Sequence, residues 1–211
     1  MIPLDIYSDP ICPWCHIGKT RLDRALEQRP DHPFEIRWHP FQLNPDMAPE
    51  GMDRADYMAL KFGDEQGILN AHRPVIEAAE DAGLRLNLPA ITRTPNTLDA
   101  HRLIHWAGLE GRQNAMVAAL FRAYFHEGRD IGARDTLLDL ARQSGLDRDL
   151  IARLLATEAD ADLIREADRV ARARGISGVP FFIIDRKYAV SGAQSTHVWH
   201  SVIDELAGTQ E

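Results

Sequence analysis

The only two cysteines of this 211-residue chain stand two residues apart, at Cys12 and Cys15, inside "SDPICPWCHIG". Three chemistries fit such a pair: a dithiol that cycles to a disulfide, half of a metal site, or two small buried hydrophobes. A structural zinc usually takes four Cys or His ligands. His16 is available as a third, but no fourth follows it at a suitable spacing, so no metal is assigned. In a reducing compartment a close cysteine pair is more often catalytic or metal-binding than a structural crosslink. Thiol redox chemistry therefore leads.

That chemistry needs one thiol presented as a thiolate and a second held within reach. The stretch "IPLDIYS" puts Ile2, Leu4 and Ile6 on one face and predicts a strand over residues 2–7. "CPWCHIGKTRLDRALEQR" then spaces Cys15, Gly18, Leu22, Ala25 and Leu26 along one helical face, ending before Pro30. Cys12 falls where the strand gives way to the helix, at the positive end of the helix dipole, and Cys15 sits one turn further in on the apolar face. Such a helix start favours a thiolate. Cys12 is the attacking candidate, and Cys15, expected to be the more buried, is the resolving one.

"FEIRWHPF" alternates Phe34, Ile36 and Trp38 with polar residues and predicts a second strand. Beyond residue 53 the pattern is helical, with helices expected near 53–62, 65–82, 96–109, 112–126, 134–144, 147–156 and 160–174. Gly63, Gly83, Gly145 and Gly175 stand where C-terminal caps belong, Asp147 where an N-cap belongs, and Pro74 should kink or split its helix. "VPFFIID" and "KYAVSG" predict two strands around a turn at 185–187, and a closing helix follows, with Ser195 as its N-cap. The spacing of Phe121, Tyr124 and Phe125 marks core. The expected class is α/β: a small sheet flanked by helices and interrupted by a helical block.

Composition narrows the partners. The formal net charge is −8, with no basic stripe to neutralise a phosphate backbone, which argues against nucleic acid. No apolar run is long enough for a membrane span, and the N-terminus lacks a basic region followed by an apolar one, so a cytoplasmic protein is expected.

Six stretches, "CPWC" at 12–15, "FQLNP" at 41–45, "TPNTLDAHRL" at 94–103, "EGRDI" at 127–131, "GVPFF" at 178–182 and "SGAQ" at 191–194, resemble the DsbA-like branch of the thioredoxin superfamily, in particular its FrnE-type members. The resemblance implies a thioredoxin fold at 1–45 and 160–211, with a large all-helical insertion at 46–159. It implies a redox-active dithiol and a cis-proline at Pro180 facing it, with Trp14, Val179, Asn96, Thr97 and His101 near the substrate. Asn96 is equally well explained as a helix N-cap. Trp14 either docks substrate or packs against the insertion, and His16 reads as a neutral hydrogen-bonding neighbour. The implied activity is protein disulfide oxidoreduction on thiol- or disulfide-containing polypeptides or small thiols. No bound cofactor is implied, and glutathione is admitted as an electron donor. Relatives that share the insertion, 2-hydroxychromene-2-carboxylate isomerases and kappa-class glutathione transferases, offer a glutathione-dependent alternative in which a serine stands at the position of Cys12. A non-catalytic peptide-binding module is a third reading. Many thioredoxin-fold enzymes carry a buried carboxylate six residues before the first cysteine. Here that position is Ile6, and no proton relay for Cys15 can be assigned from the neighbouring Asp5 or Asp9.

Overall fold

The computed structural model describes residues 1–208. Strand β1 (Ile2–Ser8), helix α1 (Pro13–Glu27) and strand β2 (Phe34–Pro40) open the chain, and β1 pairs parallel with β2 from Ile2 opposite Phe34 to Ser8 opposite Pro40. After the helical block, β5 (Phe181–Ile184) runs antiparallel to β1, and β6 (Tyr188–Ser191) pairs with β5 across the 185–187 turn. Asp185 and Arg186 adopt positive φ there. The sheet order is β2-β1-β5-β6.

One face of the sheet presents Leu4, Ile6, Phe182 and Ile184 to α1 and to the closing helix α9 (Thr196–Gly208). Trp199 of α9 is fully buried with its ring 4.7 Å from that of Phe182. Burying a side chain of this size stabilises by about 1.5–3 kcal/mol. Tyr7, Phe181 and Ile183 line the other face, where Ala171 of α8 (Ala161–Ala173) packs with Ile176 and Phe41.

Between β2 and α8 come β3 (Met52–Asp53), α2 (Arg54–Phe62), α3 (Glu65–Asp81), a 3-10 turn at Leu88–Ala90, β4 (Arg93–Thr94), α4 (Leu98–Leu109), α5 (Gln113–Phe125), α6 (Arg134–Gln143) and α7 (Arg148–Leu155). The glycines at 63, 83, 145 and 175 all take positive φ, Asp147 accepts from the Asp149 and Leu150 amides, and Ser195 accepts from the Val198 amide. Phe121, Tyr124 and Phe125 are core. Pro74 does not split its helix, which runs unbroken through Asp81. It removes one amide from the ladder in a helix whose neighbouring bonds remain. The two-residue strands β3 and β4 form a second, small sheet that was not anticipated, being too short for an alternating pattern.

The outer edge of β2 is closed by a side chain. Gln113 accepts from the Trp38 amide at 2.9 Å and donates to the Trp38 carbonyl at 3.1 Å, in place of a fifth strand. No described helix is long and apolar enough to cross a membrane.

Candidate active site

Chain direction at the end of β1 sets the position of the first thiol. The Cys12 amide donates to the Asp9 carbonyl at 2.9 Å, and Cys12 becomes the N-cap of α1 in an extended conformation. Pro13 takes the first helical position, where a missing N–H removes no helical bond. No acidic residue stands in the first turn to offset the positive end of the dipole. Cys12 Sγ lies 3.5 Å from the carbonyl oxygen of Val179, and the Val179–Pro180 bond is cis. Gly18 lets α1 come this close: a Cβ there would stand 3.0 Å from Pro180 Cγ.

Cys12 opens onto a cleft of about 300 Å³ whose walls include Trp14, Leu43, Tyr57, Met58, Val75 and Val179. Besides the Cys12 thiol and the Tyr57 hydroxyl, Arg54, Lys61 and His72 are its charged or titratable side chains, and no carboxylate lines it. Lys61 donates to the Tyr57 hydroxyl at 3.0 Å and Arg54 to the Thr94 hydroxyl at 3.2 Å. Trp14 lines the cleft and also packs against the cluster of Ile17, Val75 and Ala79.

Cys15 lies beneath, 1 % exposed, but Cys12 is nearly as buried at 3 %, because the Val179 carbonyl and the cleft walls cover it. The expected contrast in burial is therefore small. The two thiols differ instead in surroundings, since Cys12 faces the cleft and Cys15 does not line it. Burial pushes the Cys15 thiol well up, the neighbouring Cys12 pushes it further, and hydrogen bonds from the Ser8 hydroxyl and the Asp9 amide oppose both. Its neighbour His16 shares a 2.8 Å contact between Nε2 atoms with His126 and stacks on Phe121 at 5.0 Å. Burial depresses His16 to about 3, so it is the neutral neighbour expected.

Asn96, Thr97 and His101 lie elsewhere than the resemblance implied. None of them lines the cleft at Cys12. Asn96 accepts from the Leu98 amide at 2.9 Å and donates to the Met47 carbonyl at 2.6 Å, a capping and tethering role. Thr97 is buried and hydrogen-bonds the Asp9 carboxyl. His101 Nε2 is 3.9 Å from Asp9 Oδ1, too long for a hydrogen bond. Thr97 and His101 belong to a polar layer around Asp9, and Asn96 to the β2–β3 connection.

Asp9 is the residue whose part the sequence hid. It is fully buried, and its carboxyl accepts from the Leu43 amide at 2.6 Å and the Ile11 amide at 3.3 Å. Burial raises it to about 7, the amides and Thr97 oppose the rise, and the charge of Asp168 adds to it. Burial depresses His101 to about 4, against the pull of Asp168. An aspartate in "SDP" reads as a turn residue, and only the segments that close over it reveal its burial.

Two cysteines at a helix start, facing a cis-proline on a four-stranded sheet, mark a thioredoxin fold. The chain belongs to the DSBA-like thioredoxin domain family, whose model matches residues 3–204. It is similar to a structure described as a probable DsbA oxidoreductase from Streptomyces coelicolor, with 32% identity over 99% of this chain and 91% of that one and a TM-score of 0.86. A 2-hydroxychromene-2-carboxylate isomerase shares the fold at 18% identity, covering 99% and 97% of the two chains, TM-score 0.73. So does the cytosolic disulfide reductase DsbM from Pseudomonas aeruginosa, in a structure with GSH, at 19% identity, 97% and 98% coverage, TM-score 0.69.

Proposed function

We propose that the protein is a thiol–disulfide oxidoreductase in which Cys12 attacks and Cys15 resolves. The observation that carries this reading is the placement of Cys12 at the N-cap of α1, lining the cleft, with its sulfur 3.5 Å from the Val179 carbonyl and Cys15 one turn below. In the reducing direction the Cys12 thiolate attacks a substrate disulfide and forms a mixed disulfide as one substrate thiolate leaves. The Cys15 thiolate then attacks Cys12 Sγ, the second substrate thiolate leaves, and the Cys12–Cys15 disulfide holds the oxidised equivalent. Two electrons pass to the substrate, and two external thiols restore the dithiol. Glutathione is the proposed donor, in a reducing cytoplasm, and the fold-related DsbM structure was determined with GSH. Reversal of the same steps oxidises a dithiol. Val179 beside Pro180 offers backbone polar groups to an extended substrate segment, a form of strand addition.

The test is insulin reduction combined with mass analysis under non-reducing conditions. Cys12→Ser abolishes turnover, whereas Cys15→Ser accumulates mixed disulfides at Cys12. Full turnover by Cys12→Ser overturns the mechanism and favours a peptide-binding role.

A further inference from the structure

The walls beside the attacking thiol come from two distant parts of the chain. Ile11, Cys12 and Leu43 all line the cleft, and Leu43 follows β2 while the other two follow β1. The pairing of β1 with β2 ends where the Phe41 amide donates to the Ser8 carbonyl at 3.2 Å. Beyond it the Asp9 carbonyl is taken by the Cys12 amide at 2.9 Å, and Pro10 has no N–H to offer. A side chain takes over from the ladder. Asp9 Oδ2 accepts from the Leu43 amide at 2.6 Å, 34 residues away in sequence, and Oδ1 accepts from the Ile11 amide at 3.3 Å.

Ile11, Cys12 and Leu43 therefore all hang on Asp9, two of them by its carboxyl and one by its carbonyl. A loop turn can be capped by a neutral Asn or Ser, at a smaller cost of burial. Asp9 is instead fully buried, 3.9 Å from an imidazole of His101 that burial keeps neutral, and burial raises its own carboxyl to about 7. What a carboxyl supplies here is two acceptor oxygens, one for each amide. Asp9 does not itself line the cleft, so it acts on the site only through the backbone it holds.

We infer that Asp9 is the positioning residue of the attacking cysteine, fixing Ile11 and Leu43 beside Cys12 so that a disulfide on an extended polypeptide segment is attacked in preference to a small one. This role rests on the attack by Cys12 proposed above and adds to it a source of substrate selection. A small disulfide needs only the thiolate. A polypeptide segment must lie along the cleft, and the walls on either side of the sulfur then decide how well its S–S bond is aligned for attack.

The experiment uses the full chain carrying Cys15→Ser, so that attack by Cys12 is read alone as the mixed disulfide that accumulates. Acid-quenched samples analysed by mass give its rate with bis(2-hydroxyethyl) disulfide and with a blocked peptide whose single cysteine is disulfide-bonded to 2-mercaptoethanol. In each reaction the Cys12 thiolate forms one S–S bond, one S–S bond breaks and one thiolate leaves. Asp9→Asn keeps the side-chain size but has a single acceptor oxygen, so one of the two amides loses its partner. Adding it lowers the ratio of the peptide rate to the small-disulfide rate by about tenfold, the order expected from one buried amide left without an acceptor. Both rates come from the same folded protein, so a change in stability or in thiolate reactivity cancels in the ratio. An unchanged ratio overturns the role of Asp9 and leaves the dithiol mechanism standing. If Asp9→Asn does not fold, amide hydrogen exchange of the Cys15→Ser protein decides. The Ile11 and Leu43 amides gain protection together when the peptide is joined to Cys12, and gain none when 2-mercaptoethanol is. The same protection with either adduct refutes the assignment. Failure of Cys12 to attack either disulfide with Asp9 intact removes the dithiol mechanism and the positioning role together.

Discussion

Asp9, His101 and His16 are buried with displaced proton affinities that pull stability in opposite directions with pH. An unfolded aspartate ionises near 3.8, but Asp9 holds its proton to about 7 in the fold, so its contribution falls as pH rises from about 4 and is lowest above about 7, where the buried carboxyl must ionise. The two histidines gain a proton near 6.5 when unfolded, yet stay neutral down to about 3 for His16 and about 4 for His101, so their contribution is lost as pH falls below 6.5. Between about pH 5 and 6 the unfolded chain therefore binds two protons at these histidines that the native protein does not, and the native protein binds one at Asp9 that the unfolded chain does not. Each proton of difference changes stability by about 1.4 kcal/mol per pH unit. The three groups together make stability rise with pH by about 1.4 kcal/mol per unit in this window. Asp9→Asn removes the opposing proton and steepens the slope by about 1.4 kcal/mol per unit, and His101→Gln flattens it by the same amount. Groups common to all three proteins cancel in these differences. Urea denaturation read by tryptophan fluorescence at closely spaced pH values measures the slopes. If Asp9→Asn is no steeper than wild type, the carboxyl is ionised in the fold and its amide hydrogen bonds outweigh its burial.

Gln113→Ala removes both hydrogen bonds to the Trp38 backbone, and denaturant unfolding should show a loss of about 2–3 kcal/mol, since the edge of β2 is left without partners under α5. Arg102 is 2 % exposed and donates to the carbonyls of Ala159, Leu154 and Thr157 and to Asp99. Arg102→Met should cost about 3 kcal/mol or more in the same assay, because those carbonyls lose their donor. Gly51 has φ +71, and a Cβ there would stand 2.7 Å from the Thr94 carbonyl. Gly51→Ala should lower Tm by several degrees, roughly what 1–2 kcal/mol produces in a domain of this size, by disturbing the β3–β4 pair from which α2 starts.

Much of this architecture is legible in the chain because it is local. Alternation at 2–7 and 34–38, helical spacing after Cys12, and glycines at 63, 83, 145 and 175 each depend on a few neighbouring residues, and the structure keeps them. Cys12 and Pro180 were legible as a pair only through the family resemblance, since nothing local joins residues so distant. What escaped depends on closure. Whether Asp9 is a solvated turn or a buried carboxyl is decided by Leu43 and by α4, which come from other parts of the chain. The same closure turned Thr97 and His101 away from the cleft, while the cleft walls on α2 and α3, such as Tyr57, Met58 and Val75, showed only as apolar helix faces.

The buried polar layer also explains why a stretch as plain as "FQLNP" belongs to the same pattern as the cysteines. Two carboxyls hold it from behind: Asp168 accepts from the Gln42 amide at 2.7 Å and Asp9 from the Leu43 amide at 2.6 Å. Arg172 bonds Asp168, donates to the Gln42 carbonyl and lies 4.1 Å from the centre of the Phe41 ring. Asp168 thus has a cation beside it and Asp9 has none, so burial pushes Asp9 toward its neutral form and the charge of Asp168 adds to the push. Asp9 in turn holds the Cys12 amide through its own carbonyl. Asp9 is therefore the single buried residue that connects Leu43 and Thr97 to the backbone of Cys12. These contacts join the helical block to the cysteine loop even though Thr97 and His101 do not line the cleft.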